Sequence, residues 1–199
     1  MASRKKITTW DPIAQFSRWF RDEVSAGTEL PEAMALATAS HDAIPSVRFV
    51  LLKQADQQGF CFYTDVRSLK GRQLVETPYA ALVFYWARKR RQVRIDGSVE
   101  PMTPREADNY WATRPLASRL SASTSHQSDP IGSREELVAR VAALKRQLKG
   151  NPPPRPDYWR GFRVIPQRIE FWVHDPHRLH RRELFVRSAG GWRRSILQP

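Results

Sequence analysis

The sequence predicts a mainly β fold with flanking helices (α+β), an antiparallel barrel or sandwich, on three observations. Between Ala33 and Gly97 short apolar or alternating runs follow one another, separated by turn residues and with little helix between them. Two hydroxyl-led capping signals then open a helical stretch, and strand texture returns after a proline-rich connector and runs to the end of the chain. A doubly wound sheet would need a helix after almost every strand, which this order of elements does not offer.

Taken in order, residues 1–10 carry three basic side chains and no apolar period, so they read as a mobile N-terminal arm ahead of a single domain over 11–199. Asp11-Pro12 supplies an N-cap and a proline at the first helical position, and Ile13, Phe16, Phe20 and Val24 recur at helical spacing as far as Gly27. Strands are expected from Ala35 to Ala39, Ser46 to Lys53, Phe60 to Thr64, Ala80 to Trp86 and Gln92 to Gly97. Gln57-Gln58-Gly59 is a hairpin turn, and Ser68 to Glu76 a short helix. Thr103-Pro104-Arg105-Glu106 and Ser133-Arg134-Glu135-Glu136 are capping boxes, in which a hydroxyl caps the first turn and the glutamate reaches back to it. The second helix carries Leu137, Val141, Leu144 and Leu148 on one face and stops near Gly150, where Pro152, Pro153, Pro154 and Pro156 impose an extended connector. Ser118 to Ser128 reads as a serine-rich loop. The last strands are expected at Phe162 to Val173, Leu184 to Arg187 and Trp192 to Leu197.

Composition narrows the function. Over 199 residues, 33 Lys and Arg against 20 Asp and Glu leave a formal charge of +13, which favours anionic partners such as phosphorylated small molecules. The basic run Arg88-Lys89-Arg90-Arg91 has no recognition helix or stacking aromatic pair to go with it, so nucleic acid is not expected as the partner. A single cysteine, Cys61, excludes an internal disulfide and multi-cysteine zinc sites. No apolar run approaches the roughly 20 residues of a membrane span, and the start of the chain lacks a signal-peptide core, so a cytoplasmic protein is expected. GxGxxG, P-loop, HExxH and GxSxG motifs are missing. His174 and His177 flank Asp175 and Pro176, but the proline breaks any regular element there; the segment reads as a surface turn, and no metal is expected.

What stands out is a set of cations and hydroxyls at strand ends and in loops: Arg48, Lys53, Thr64, Ser68, Lys70, Arg114, Ser118, Arg178 and Arg182. Arg48 and Lys53 bracket the apolar run Phe49-Val50-Leu51-Leu52. Cations at both ends of a largely buried strand suit an edge that binds phosphate, because a desolvated positive charge needs an anion.

Arg48 to Lys53, Phe62-Tyr63-Thr64, Ser68-Leu69-Lys70-Gly71, Arg91-Gln92-Val93, Tyr110 to Pro115, Gln127-Ser128, Gly161-Phe162-Arg163, Ile169 to Trp172 and Arg178-Leu179-His180 together closely resemble the pyridoxine/pyridoxamine 5'-phosphate oxidase family, in family order from about Pro12 to Pro199. The resemblance implies a split β-barrel of Greek-key-like topology and a homodimer with FMN at the subunit interface. It implies that Arg48, Thr64 and Lys70 serve the FMN phosphate and ribityl chain, and that Phe49, Val50, Leu51, Leu52 and Lys53 belong to the same cofactor-binding strand. Tyr63, Gln92, Trp172 and Arg182 would line the rest of the flavin, with Gln127 and Ser128 closing over it. Lys53, Tyr110, Arg114 and Ser118 match the substrate phosphate pocket, and Arg178 and His180 the catalytic pair that positions the pyridine ring.

The implied reaction oxidises pyridoxine 5'-phosphate or pyridoxamine 5'-phosphate to pyridoxal 5'-phosphate, with O2 as acceptor and H2O2 as product. A phosphate near dianionic charge calls for two cations and neutral donors, which Lys53, Arg114, Tyr110 and Ser118 supply. The chain departs from the family at Leu69, where an arginine usually reaches the FMN phosphate, and at Ser121-Ala122-Ser123, usually Gly-Ala-Trp. A second reading therefore stands beside the first: a divergent flavin oxidase of the phenazine-biosynthesis type, acting on a reduced aromatic carboxylate.

Overall fold

The computed structural model describes residues 10–199. The expected arm lies outside the described residues except for Trp10, which packs edge-on against Phe185 at 6.4 Å with the Arg194 guanidinium 4.4 Å over its ring. Helix α1 (Pro12–Ser25) opens as expected, Asp11 accepting the Ala14 N–H at 3.0 Å. Its buried stripe runs through Ile13, Phe16, Trp19 and Glu23, while Val24 is 53% exposed, correcting the expected face by one position. Phe16 plugs the core, its ring 4.9 Å from Phe60 and 5.1 Å from Phe84.

Nine antiparallel strands form one curled sheet: β1 (Ala33–Ala39), β2 (Pro45–Leu51), β3 (Gln54–Asp56), β4 (Gly59–Asp65), β5 (Tyr79–Trp86), β6 (Arg91–Pro101), β7 (Trp159–Val173), β8 (Arg181–Ser188) and β9 (Gly191–Leu197). The order β2-β1-β5-β6-β7-β4-β3 branches at β7, a strand of 15 residues. One edge of β7 follows β6 throughout. The other pairs its first half with β4, from Trp159 opposite Asp65 to Val164 opposite Phe60, and its second half with β8, from Arg168 opposite Val186 to Val173 opposite Arg181. This divided edge is the split in the half-barrel. A bulge marks the division: Gly97 faces Pro166 and Asp96 faces Arg168, leaving Gln167 as the extra residue. Gly97 is required there, since a Cβ would lie 1.9 Å from the Ile165 carbonyl oxygen.

Three expectations need correction. The strand expected to reach Lys53 ends at Leu51, because Leu52 turns into the core and its N–H pairs with the Glu32 carbonyl at 2.9 Å. The serine-rich loop contains helix α4 (Leu116–Thr124), which buries Leu120 and returns the Thr124 hydroxyl to the Leu120 carbonyl at 2.9 Å. Of the two capping boxes, the one at α3 (Pro104–Thr113) is complete, with reciprocal bonds of 3.2 and 2.8 Å between Thr103 and Glu106. At α5 (Arg134–Leu148) only half forms: Ser133 accepts the Glu136 N–H at 3.2 Å, but the Glu136 carboxylate turns to Arg140. Helix α2 (Leu69–Glu76) forms where a short helix was expected, with Ser68 as its N-cap.

Candidate functional site

The fold leaves a cleft of about 730 Å³, a size suited to a cofactor with a small substrate. Edge strand β2 with Lys53 forms one wall. Tyr63, Thr64 and Asp65 on β4, Lys70 on α2 and Trp159 on β7 make the floor, and Tyr110, Arg114, α4 and Gln127 close the other side. Of the expected residues, Phe49, Val50, Leu51, Lys53, Tyr63, Thr64, Lys70, Tyr110, Arg114, Ser118 and Gln127 meet here.

One end of the cleft is built around a buried cation. Lys70 is 8% exposed, and its ammonium donates to Gln127 Oε1 at 2.9 Å and to the Thr64 and Ser68 hydroxyls at 3.3 Å each. Burial and, second, the nearby Arg48 charge hold its pKa below the ordinary lysine value. Asp65, the one acid among the lining residues, is bound by Arg67 at 2.7 Å, and that guanidinium also sits 3.3 Å over the Tyr158 ring. Lys70 thus donates to neutral acceptors only, the nearby Asp65 charge being engaged by Arg67, and an anion suits it as a further partner. Arg48 stands behind this end. It donates to Thr38 Oγ1 at 2.6 Å and to the carbonyls of Leu36 and Ser46, and burial lowers its pKa.

The other end is an aromatic stack. Tyr63, Tyr110 and Trp159 form a cluster of near-parallel rings, Tyr63 lying 4.3 Å from Tyr110 at 16° and 5.0 Å from Trp159 at 5°, with Tyr110 and Trp159 6.0 Å apart. Gly161, opposite Tyr63 in the β4–β7 register, makes room for it: a Cβ there would come within 2.7 Å of the Tyr63 ring and of the Met102 sulfur. Burial, with Cys61 and Glu106 adding to it, pushes the Tyr63 hydroxyl up to about 12, so it remains a neutral donor. The Arg114 guanidinium rests 4.7 Å over Trp159 and 5.1 Å over Trp111. Its Nη1 is buried without a hydrogen-bond partner among the described residues, and burial lowers its pKa. Arg114, its Nη1 unpaired, shares the cleft lining with Lys53 and Ser118 and makes a second candidate anion site.

The remaining expected residues stand elsewhere on the chain. Gln92, Trp172 and Arg182 are cross-strand neighbours on β6, β7 and β8, and His180 packs 4.7 Å from the Trp172 ring. Glu170, buried on β7, accepts Arg182 Nε at 2.7 Å and Arg94 Nη1 at 3.2 Å. Arg178 is exposed in the turn before β8. None of these lines the cleft of one chain, and the resemblance implies a site shared between two protomers. Leu52 points into the core instead of the cleft. Ser128 stays at the rim, accepting the Leu69 N–H at 3.3 Å, and the Leu69 side chain is exposed.

Sequence reasoning missed Trp159, Asp65 and the α4 residues Ala117, Ser121 and Ala122, along with Pro115 and Ser125. The spacing of Ser118, Ser121 and Ser125, three and four apart, was the available signal for one helical face.

Residues 20–147 match the family model described as pyridoxamine 5'-phosphate oxidase, and residues 159–199 match the pyridoxine 5'-phosphate oxidase C-terminal dimerisation region. The chain is 50% identical over 189 residues to the pyridoxine/pyridoxamine 5'-phosphate oxidase of Rubrobacter xylanophilus, covering 95% of this chain and 87% of the relative. It is 47% identical over 192 residues to that of Burkholderia multivorans, covering 95% and 89%. Among solved structures, PhzG from Burkholderia lata 383 in complex with tetrahydrophenazine-1-carboxylic acid superposes with a TM-score of 0.92 at 35% identity, covering 100% of this chain and 98% of that one. A pyridoxamine 5'-phosphate oxidase-related, FMN-binding protein from Nostoc punctiforme shares the fold, with a TM-score of 0.76 at 17% identity, covering 96% of this chain and 100% of that one.

Proposed function

The chain belongs to the pyridoxamine 5'-phosphate oxidase family, and from that premise we propose that it is an FMN-dependent oxidase converting pyridoxine 5'-phosphate or pyridoxamine 5'-phosphate to pyridoxal 5'-phosphate. The observation that carries this reading is the presence of two separate uncompensated cationic centres in one cleft, Lys70 at one end and Arg114 with its unpartnered Nη1 at the other. A phosphorylated cofactor and a phosphorylated substrate need two such centres.

The donor set fits FMN. Lys70, Thr64, Gln127 and Ser128, with Arg48 behind them, would hold the phosphate and ribityl chain, while Phe49 to Leu51 and Tyr63 supply an apolar wall. When bound, FMN accepts a hydride from the carbon that becomes the aldehyde, and O2 reoxidises it to give H2O2. Lys53, Tyr110, Arg114 and Ser118 anchor the substrate phosphate. Arg178 and His180 orient the pyridine ring, the guanidinium acting through its charge and planar shape because it seldom accepts a proton.

The split between the cleft and the Gln92–Trp172–Arg182 row supports a homodimer in which each cleft is completed by the other protomer's row. Residues 159–199, the match to the dimerisation region, carry two of those three residues. Edge strand β2 exposes Val47 at 71% and Phe49 at 77%, an apolar strip suited to burial against a second copy.

The likeness to PhzG and the leucine at position 69 favour the second reading, oxidation of a reduced phenazine carboxylate. Purified protein should show a flavin visible spectrum and release peroxide with pyridoxine or pyridoxamine 5'-phosphate. Peroxide from a tetrahydrophenazine carboxylate and none from either phosphate would replace the first reading with the second.

A further inference from the structure

We propose that Asp175 is the positioning residue that holds Arg178 and His180 in their working geometry, an inference that rests on the roles given to those two residues above. The turn between β7 and β8 is organised around this one residue. Asp175 N–H donates to His180 Nδ1 at 3.1 Å, its Oδ1 accepts the His177 N–H at 2.8 Å, and its carbonyl accepts the Arg178 N–H at 3.1 Å.

Each contact has a consequence for the pair. A backbone N–H can only donate, so neutral His180 carries its proton on Nε2 and presents a donor on the side away from the turn. Packing 4.7 Å from Trp172 and 5.5 Å from His174 fixes the plane of the His180 ring. Arg178 has φ +68, a left-handed conformation that is unfavourable for a non-glycine residue and persists only where its surroundings enforce it. The bonds from His177 and Arg178 back to Asp175 are what enforce it here. They close the turn on both sides of Pro176 and set the direction in which the Arg178 side chain leaves the backbone.

The carboxylate contributes as an oxygen acceptor, a role that an amide oxygen fills equally well. The substrate phosphate is anchored elsewhere, at Lys53 and Arg114, so loosening this turn disturbs ring orientation more than affinity.

The test compares FMN-loaded Asp175→Ala and Asp175→Asn with the parent holoenzyme on pyridoxine 5'-phosphate and pyridoxamine 5'-phosphate. Asp175→Ala should lower kcat about tenfold with KM moving less than about twofold and FMN content unchanged, and Asp175→Asn should recover most of the rate. Imidazole ¹⁵N spectra should show His180 as the Nε2–H tautomer in the parent and in Asp175→Asn, and a tautomer mixture in Asp175→Ala, where the backbone N–H of residue 175 persists but the turn, without the bond from the His177 N–H to the carboxylate, no longer holds it against Nδ1. An unchanged kcat in Asp175→Ala, or an Asp175→Asn as slow as Asp175→Ala, overturns the proposal. Arg178→Ala and His180→Ala separate the two levels: if these are slow while Asp175→Ala is not, the positioning role alone fails. If they too are as fast as the parent, the assignment of the pair fails and takes the positioning role with it.

Discussion

Arg114 and Lys70 each keep a positive charge against burial, and their surroundings give each a different task. Arg114 is stacked on Trp159 and Trp111 with Nη1 unpaired, so its guanidinium is preorganised for a bidentate contact with phosphate. Arg114→Ala should raise KM for the phosphorylated vitamin about tenfold to a hundredfold, the equivalent of roughly 1.5–3 kcal/mol, and leave FMN content intact. Loss of FMN with an unchanged KM would place Arg114 on the other phosphate. Lys70 supports a prediction about pH. Its folded-state pKa lies below the unfolded value near 10.5, so between the two the unfolded chain binds more protons and apoprotein stability rises with pH. FMN favours the protonated form, so flavin affinity falls over the same window. Calorimetry of the apoprotein and fluorescence titration with FMN should therefore give slopes of opposite sign. Lys70→Met should flatten both and weaken FMN binding about tenfold or more. Parallel slopes would remove Lys70 from the phosphate site.

Among the elements, caps and close approaches separate stability from function. The Asp11 and Thr103 caps were legible because each pairs a hydroxyl or carboxylate with a helix start at fixed spacing. Helix α4 was not, because its serines favour loops in isolation and only burial of Leu120 and apposition to α5 make the helical form win. Thr103→Ala removes the hydroxyl that accepts the Glu106 N–H, leaving only the backbone half of the α3 capping box, and should cost about 1 kcal/mol, visible as a lower Tm, with FMN affinity unchanged. Gly161→Ala should lower stability by about 1–3 kcal/mol and also weaken FMN binding, because the new methyl strikes the Tyr63 ring that packs against both Tyr110 and Trp159. Equal flavin affinity in the two variants would show that the aromatic stack does not shape the cofactor site.

At the level of the whole molecule, the division of expected site residues into two groups leads to a complementation test. If each cleft is completed by the other protomer, a mixed dimer of Arg114→Ala and Arg178→Ala subunits contains one site with both defects and one with neither. Random mixing of the two variants, assayed at substrate well below the raised KM of Arg114→Ala so that each alone is nearly silent, should then restore about a quarter of parent activity, since half of the dimers are mixed and each has one intact site. No recovery after subunit exchange, confirmed by mass spectrometry of the mixed dimers, would place both groups in one protomer's site. Sedimentation of the parent protein should show a dimer at micromolar concentration, and Phe49→Asp on the exposed β2 strip should shift it toward monomer with loss of flavin.

The sequence by itself determined what local chemistry and spacing can specify: where α1, α2 and α3 begin, which runs are strands, and which cations and hydroxyls are candidates for an anion site. Lys53, Lys70, Tyr110, Arg114 and Ser118, far apart along the chain, were singled out by the family motifs they stand in, and all five line one cleft. Tertiary structure decided the rest. Only the divided edge of β7 brings β4 and β8 to one strand, and only the Gly161 vacancy beneath the Tyr63 ring turns Trp159 from a core aromatic into a wall of the cleft. Leu52 and Val24 changed sides for the same reason: periodicity gives a side chain's phase within its own element, but its surroundings depend on what that element packs against, and those partners come from distant parts of the chain.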